Sequence, residues 1–447
     1  MVRLRLSQVF ARLARPTPVR APHAVRRGDM ELQASLEMAT SSADLLRLLE
    51  ATADDEAGLV VASRGAAAAL LLQQLDAKTT YTAPSKLRGA RRKRAALADA
   101  DAMRAERRAL LCDERYRWLL ATVGDTQYHA QWSTDAFLDV MLSVHAIGGG
   151  AVPAAIEGMA GDVPRRLEPQ IADDGVTDAA LTTPQLSAVA RLLVEVCPTA
   201  DATRLALEGA ARSVARRGVG DADTGTVASL AWSLARSGVA HAPFAATIAR
   251  DVVQRAACSE LRSAPSATLA QIAWALGCFV DAGVGGVQDG DERGGSSALD
   301  ALVALANEVA ARGRSGCLDG RDFGAAAVHR TARGLSAVVR ATRAEAREGA
   351  STEKARATSD ERLRAVVSAL RVLAGEVEAM SHAPNRADEL VATLSRGELG
   401  ELSAAFDVAR VRTPGAHAAS AAWWCAVQQQ QGGEGKEERH RKHTRGF

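Results

Sequence analysis

The stretch SKLRGARRKR carries six cationic side chains, Lys86, Arg88, Arg91, Arg92, Lys93 and Arg94, with no acid among them. Neighbours along the chain cannot neutralise such a run. Its chemistry is therefore phosphate contact or, as the plain alternative, a solvated linker. Tyr81, just upstream, offers one ring on which a base can stack. The other residue types with chemical potential do not converge on a reaction. VDAGVGGVQDGDERGGSS (280–297) is Gly-rich, but no strand precedes it and no GK[ST] follows, so it reads as an insertion and not as a phosphate loop. GDADTG at Gly220 supplies Asp221 and Asp223 without the remaining ligands of a calcium loop, and reads as a turn. His129, His145, His241, His329, His382 and His417 show no HExxH or His/Cys ligand spacing, and GxSxG does not occur. Cys112, Cys197, Cys258, Cys278, Cys317 and Cys425 are spread widely without a CxxC pair, so neither a zinc site nor a disulfide framework is expected. The reading is a binding protein with no catalytic residue, metal or cofactor.

The elements that must hold a ligand are written as repeats. TVASLAWSLARSGV at Thr226 returns as TLAQIAWALGCFVDAGV at Thr268, with Trp232 and Trp274 in the same register 42 residues apart. That period belongs to helical solenoids. Val227, Leu230, Ala231, Leu234 and Gly238 follow one face of a helix. Trp232 lies about 140° away at the 3.6-residue period, beside Ala228, Ala235 and Val239, and makes a second apolar face. Ser229, Ser233 and Arg236 form the polar stripe that remains. A helix apolar on two sides must lie between neighbours. The two tryptophans are thus expected to be wedged between stacked hairpins, and emptying Trp274 is expected to cost about 3–5 kcal/mol.

Each such segment is followed by a second helix. HAPFAATIARDVVQRAAC places Pro243 for a first turn, with Phe244, Ile248 and Val252 on one face. SSALDALVALANEVAARG offers Ser297 as a cap and Leu302, Leu305 and Val309 as a face. Weaker first helices appear as QLSAVARLLVEVCP at Gln185 and DAFLDVMLSVHAIG at Asp135. GELGELSAAFDVARV is another, its Leu399 following Val227 by 172 residues, close to four periods. RGLSAVVRATRA and DERLRAVVSALRVLAGEV are helical without a readable register. The expected fold is all-α, an α-solenoid of stacked helical hairpins of about 40 residues. Its expected parts are a leader (1–30), a first hairpin (31–76), a basic linker (77–110), helical repeats (111–284), a Gly-rich insertion (285–297), diverged repeats (298–426) and a polar tail (427–447).

The first thirty residues hold seven Arg and a single acid, Asp29, with Val2, Leu6, Val9, Phe10 and Leu13 on one helical face. That is the pattern of an organellar transit peptide, mitochondrial in the first reading and chloroplast in the second. The whole chain has 55 basic and 53 acidic residues. Without the leader it has 48 and 52, a net charge of −4, so any nucleic-acid contact must come from local patches. No run reaches the ~18–20 apolar residues that span a membrane.

LAWSLARSGV and IAWALG resemble the first helices of octotricopeptide repeats and of the FAST-kinase-like, RAP-domain-type helical-repeat proteins of organelles. SLEMATSSADLLRLLEA is similar to the helix that opens such arrays, and DERYRWLLATVGD with DAFLDVMLSVHAIG to their second helix running into the next first helix. The resemblance spans Ser35–Leu75 and Asp113–Val284. It implies RNA as partner, an organellar transcript or rRNA, and a role in RNA processing, stability, translation or ribosome assembly. On that reading Ser229, Ser233, Arg236 and Gln271 face bases while the Lys86–Arg94 tract holds phosphates. The end of the chain, AAWWCAVQQQQGGEGKEERHRKHTRGF, shows no recognisable RAP domain, so no nuclease activity is implied. The alternative is a protein–protein scaffold or assembly factor of an organellar complex, because solenoid surfaces serve either ligand and few aromatics line this one.

Overall fold

The computed structural model describes residues 39, 41–53, 71–76, 90–129, 132–148, 153–168, 170–171, 177–178, 180, 181–220, 222–284, 297–315, 323–347, 353–382 and 392–412. The leader 1–30, the tail 427–447, Lys86, Arg88, Tyr81 and nearly all of the insertion at 285–297 lie outside them.

Fifteen helices carry the described chain. They are α1 (Ser42–Ala53), α2 (Ala90–Cys112), α3 (Glu114–Val123), α4 (Thr126–His129), α5 (Thr134–Gly148), α6 (Pro153–Ala160), α7 (Thr183–Val196), α8 (Asp201–Arg217), α9 (Thr224–Arg236), α10 (Ala242–Ala257), α11 (Ser266–Asp281), α12 (Ala298–Arg314), α13 (Ala325–Arg347), α14 (Glu353–His382) and α15 (Arg396–Val408). The only strands among the described residues are a two-residue antiparallel pair between α6 and α7. There β1 (Gln170–Ile171) meets β2 (Thr177–Asp178), with Gln170 opposite Asp178. The fold is all-α.

Local chemistry sets the helix ends. Thr182 and Gln185 form a reciprocal capping box at α7; Ser297 with Asp300 and Ser395 with Glu398 do the same at α12 and α15. Asp223 caps α9 by accepting from the Thr226 amide at 2.6 Å. Such caps each contribute about 0.5–2 kcal/mol. At the other end, Gly238 and Gly283 take φ of 68° and 74°, a region that strains any residue with a Cβ. The following amides then reach back, Val239 to the Leu234 carbonyl and Val284 to that of Phe279, both at 3.0 Å. This is the Schellman ending, and it explains the shared Gly-Val with which both repeated segments close.

Helices alternate between two layers. The first helices α5, α7, α9, α11, α13 and α15 stack side by side in that order, and the second helices α6, α8, α10, α12 and α14 stack behind them. Val227, Leu230, Ala231 and Leu234 of α9, and Leu269, Ile272, Ala273 and Leu276 of α11, are fully buried between the layers. Phe244 of α10 meets Phe279 of α11 edge to face, 6.0 Å between centroids. Two expectations need correction. The segment beginning at Gly397 is α15, which stands three stacking steps after α9, not four, because the α11–α12 and α13–α14 hairpins both take up more chain than the α9–α10 hairpin. Residues 90–110, expected as linker, are part of helix α2.

Two features fix how the layers meet. The first is an arginine latch that recurs in three hairpins and was not anticipated from the sequence. Arg166, just after α6, pairs with Asp162 and donates to the His129 and Trp132 carbonyls ahead of α5. Arg255 of α10 pairs with Asp251 and donates to the Ala222 carbonyl ahead of α9 and to the Thr224 hydroxyl at its first residue. Arg312 of α12 pairs with Glu308 and donates to the Leu261 and Ala264 carbonyls ahead of α11 and to the Ser266 hydroxyl at its first residue. Each latch ties the end of a second helix to the loop that starts its own first helix, satisfying carbonyls that burial would otherwise orphan. The second feature is a glycine contact. A Cβ on Gly277 would lie 2.6 Å from the Gly334 Cα, and one on Gly334 would lie 2.1 Å from the Ala273 carbonyl oxygen. Only paired glycines let α11 and α13 approach this closely.

Candidate nucleic-acid interface

The outward face of the first-helix layer carries the chemistry. On α9, Trp232 is half-buried at its rim, and Arg236, one turn on, lays its guanidinium over the indole with Cζ 4.9 Å from the ring centroid. On α11 the residue one turn after Trp274 is Cys278, so the same helix supplies no cation. Arg333 of α13 crosses over instead, its Cζ 5.6 Å from the Trp274 ring. The Gly277–Gly334 contact brings α13 near enough for this, since Arg333 immediately precedes Gly334. The two tryptophans thus present the same pair, an indole under a guanidinium, by two different routes.

Carboxylates answer most of the other cations. Glu401 of α15 accepts from Arg333 at 3.1 Å and lies 3.0 Å from Nε2 of the buried His329. Arg340 donates through one nitrogen to both oxygens of Asp281, 2.8 Å each. Arg330 of α13 differs. It is partly buried and has no carboxylate within ion-pair distance among the described residues; Glu398, the nearest influence of opposite sign, is engaged by Ser395. Burial lowers the pKa of Arg330; the charge of Glu398 opposes that shift, and the like charge of Arg236, a smaller influence, adds to it. Glu398 itself resists protonation because the Ser395 hydrogen bonds, His329 and Arg330 together outweigh its burial. Cys278, half-buried, has its thiol pushed up to about 11, chiefly by desolvation, which favours the protonated form.

The residues singled out from sequence separate here. Arg236 is exposed, and Ser229 and Gln271 are partly exposed on α9 and α11. Ser233 is fully buried, its hydroxyl donating at 2.8 Å to the Ser229 carbonyl, so it cannot face a ligand. A serine that back-bonds to its own helix needs no outside partner and can sit against a neighbouring helix. Trp232 and Trp274 are not enclosed between hairpins as expected; they share the open face with Ser229 and Gln271. Arg91, Arg92, Lys93 and Arg94 occupy the first turns of α2, and their side chains lie outside the described residues. The sequence reading missed Arg330 and Arg333 because α13 has no Trp to set its register. Gly334 is the signal that aligns it.

Among the described residues no group of three or more His, Cys, Asp or Glu is placed to hold a metal ion. No described helix is long and apolar enough to cross a membrane. Comparison with models of protein families, with curated proteins and with solved structures returns no match.

Proposed function

We propose that this chain is an RNA-binding helical-repeat protein of an organelle, the mitochondrion or alternatively the chloroplast, that assists RNA processing, stability, translation or ribosome assembly. One observation carries the reading: the half-exposed Trp232 and Trp274, on adjacent first helices, each lie under an arginine. Aromatic rings and guanidinium planes are the surfaces on which unpaired bases stack, and one such unit per helix step is a spacing that an extended strand can follow. The resemblance to organellar repeat proteins and the Arg-rich leader supply the compartment.

The test is crosslinking of the protein in isolated organelles, followed by sequencing of the recovered RNA. Discrete transcript or rRNA segments are the expected result. The carboxylates Asp281, Glu398 and Glu401 on the same face favour a second reading, a scaffold for a basic protein partner. Recovery of a stable protein complex with no crosslinked RNA would establish that reading in place of the first. Import is tested separately by fusing residues 1–30 to a soluble reporter, which should reach an organelle and be shortened there. An uncleaved reporter in the cytosol would remove the organellar part of the proposal.

A further inference from the structure

The two tryptophan units differ in what holds their arginines. Arg236 of the Trp232 unit is exposed and has no ion pair among the described residues, whereas Arg333 of the Trp274 unit is tied to Glu401 of α15. One carboxylate oxygen, Oε2, takes both contacts, with Arg333 at 3.1 Å and Nε2 of His329 at 3.0 Å. An ionised carboxylate only accepts, so Nε2 carries the proton and donates it. The His329 side chain is 4% exposed and that of Glu401 44%, so the carboxylate is gripped from inside and opens outward. With Oε2 taken twice, Oε1 is left without a partner among the described residues. A surface glutamate is ordinarily mobile; two donors on one oxygen pre-organise this one beside a stacking platform.

An acceptor beside a stacked base reads the edge of that base. Adenine and cytosine each offer one amino group next to a ring-nitrogen lone pair, which a carboxylate repels. Uracil offers N3–H between two carbonyl oxygens. Guanine alone sets two donors side by side, N1–H and N2–H, and both can converge on a single oxygen. In a duplex those donors are spent on cytosine. Resting on the RNA-binding reading above, we propose that the Trp274–Arg333 unit takes a guanine of an unpaired RNA strand, its ring stacked on the indole–guanidinium pair and its N1–H and N2–H donated to Oε1 of Glu401. Arg333 also offsets the carboxylate charge, which would otherwise repel the phosphate backbone. The Trp232–Arg236 unit has no carboxylate tied to it and stacks any base, because every base has a π-face. One step of the array specifies, and its neighbour only grips.

The experiment uses the full chain and fluorescein-labelled oligouridylate RNA with one central guanine, followed by anisotropy. Control strands carry adenine, cytosine, uracil or hypoxanthine at that position. The guanine strand should bind about tenfold more tightly than the adenine, cytosine and uracil strands, the discrimination of one good two-bond base contact. Hypoxanthine, which keeps N1–H and lacks the 2-amino group, should fall between. Glu401→Gln can keep its carbonyl oxygen on Arg333 and His329 while turning an amide NH₂ outward, so the guanine preference should disappear. Trp232→Leu should weaken all strands alike and retain the preference. Unlabelled GMP should displace the guanine strand only at about a hundredfold higher concentration, because the strand also gains the Trp232 contact. Circular dichroism melts identify a variant that fails to fold, and the base series on the unaltered chain tests the proposal without any variant. RNA bound with no preference for guanine, or a preference that survives in folded Glu401→Gln, would overturn the guanine site and leave the broader RNA reading standing. Displacement by GMP at the strand's own concentration would overturn the strand as the source of the guanine. No binding of any RNA by the intact protein would remove both readings.

Discussion

His129 sits closed off from solvent between Trp132 and Phe137, with ring centroids 4.9 and 5.6 Å away. Its Nε2 donates to the Val123 carbonyl at 2.7 Å, and its Nδ1 has no partner among the described residues. Burial lowers its pKa, against a raising influence from that hydrogen bond and from Asp162 and Asp125, while Arg166 lowers it further. The unfolded chain therefore takes up the proton first as pH falls through about 6.5. Stability is full above that pH and declines below it, at up to about 1.4 kcal/mol per pH unit for this one group. Urea unfolding between pH 5 and 8 should show the decline, and His129→Phe should flatten it; an unaltered slope would place the acid sensitivity elsewhere. Trp274 behaves differently because part of it remains open. Trp274→Ala should cost well under the ~3–5 kcal/mol of an enclosed aromatic, measured by the same unfolding experiment. At this scale the sequence was legible in part. The register of the tryptophans and the capping of α12 by Ser297 follow from spacing and residue type. Ser233 did not, because a hydroxyl bonded to its own helix is polar in type yet packs as a small apolar group.

The arginine latches act on whole elements. The motif behind them is an acid and an arginine four residues apart with a buried valine after the acid: DVPRR at Asp162, DVVQR at Asp251 and EVAAR at Glu308. It is visible in sequence once the pairing is known, yet four-residue charge pairs are so common on exposed helices that it does not announce itself. Arg312 and Glu308 are both nearly buried, so removing the arginine strands a carboxylate and several carbonyls together. Arg312→Ala should cost about 3–5 kcal/mol, and the doubly substituted Arg312→Met, Glu308→Leu chain should recover part of that loss. Additive losses in the double variant would show that the pair is not coupled. The glycine contact makes an opposite case, in which adding one methyl separates two helices. Gly334→Ala should destabilise by about 1–3 kcal/mol through overpacking. On the proposed RNA-binding function it should also lower RNA affinity, because α13 carries Arg333, which lies over Trp274. A change in neither quantity would mean that α13 can shift without consequence. The register of α13 was unreadable from sequence for the same reason: glycine at a helix crossing leaves no hydrophobic mark in a periodicity.

Across the molecule, each hairpin is stabilised chiefly by the hairpins on either side, so damage at one should spread to its neighbours. The order of helices was legible, since amphipathic periods and caps are local properties. The count of steps to α15 was not, because the α11–α12 and α13–α14 hairpins are both longer than the 42-residue period that the tryptophans set. That irregularity matters for recognition. In the layer of first helices one step is one helix width, whatever length of chain is spent in returning to it. Sequence distance and ligand distance are therefore separate currencies: the yardstick is fixed by side-chain packing, and connecting segments can grow or shrink without altering its graduations. Deleting residues 285–295 between α11 and α12 should accordingly leave unfolding free energy and RNA affinity almost unchanged. A marked shift in either would show that the segment takes part in the face. If the yardstick holds, related chains can acquire insertions at any hairpin and still keep the same spacing between their first helices.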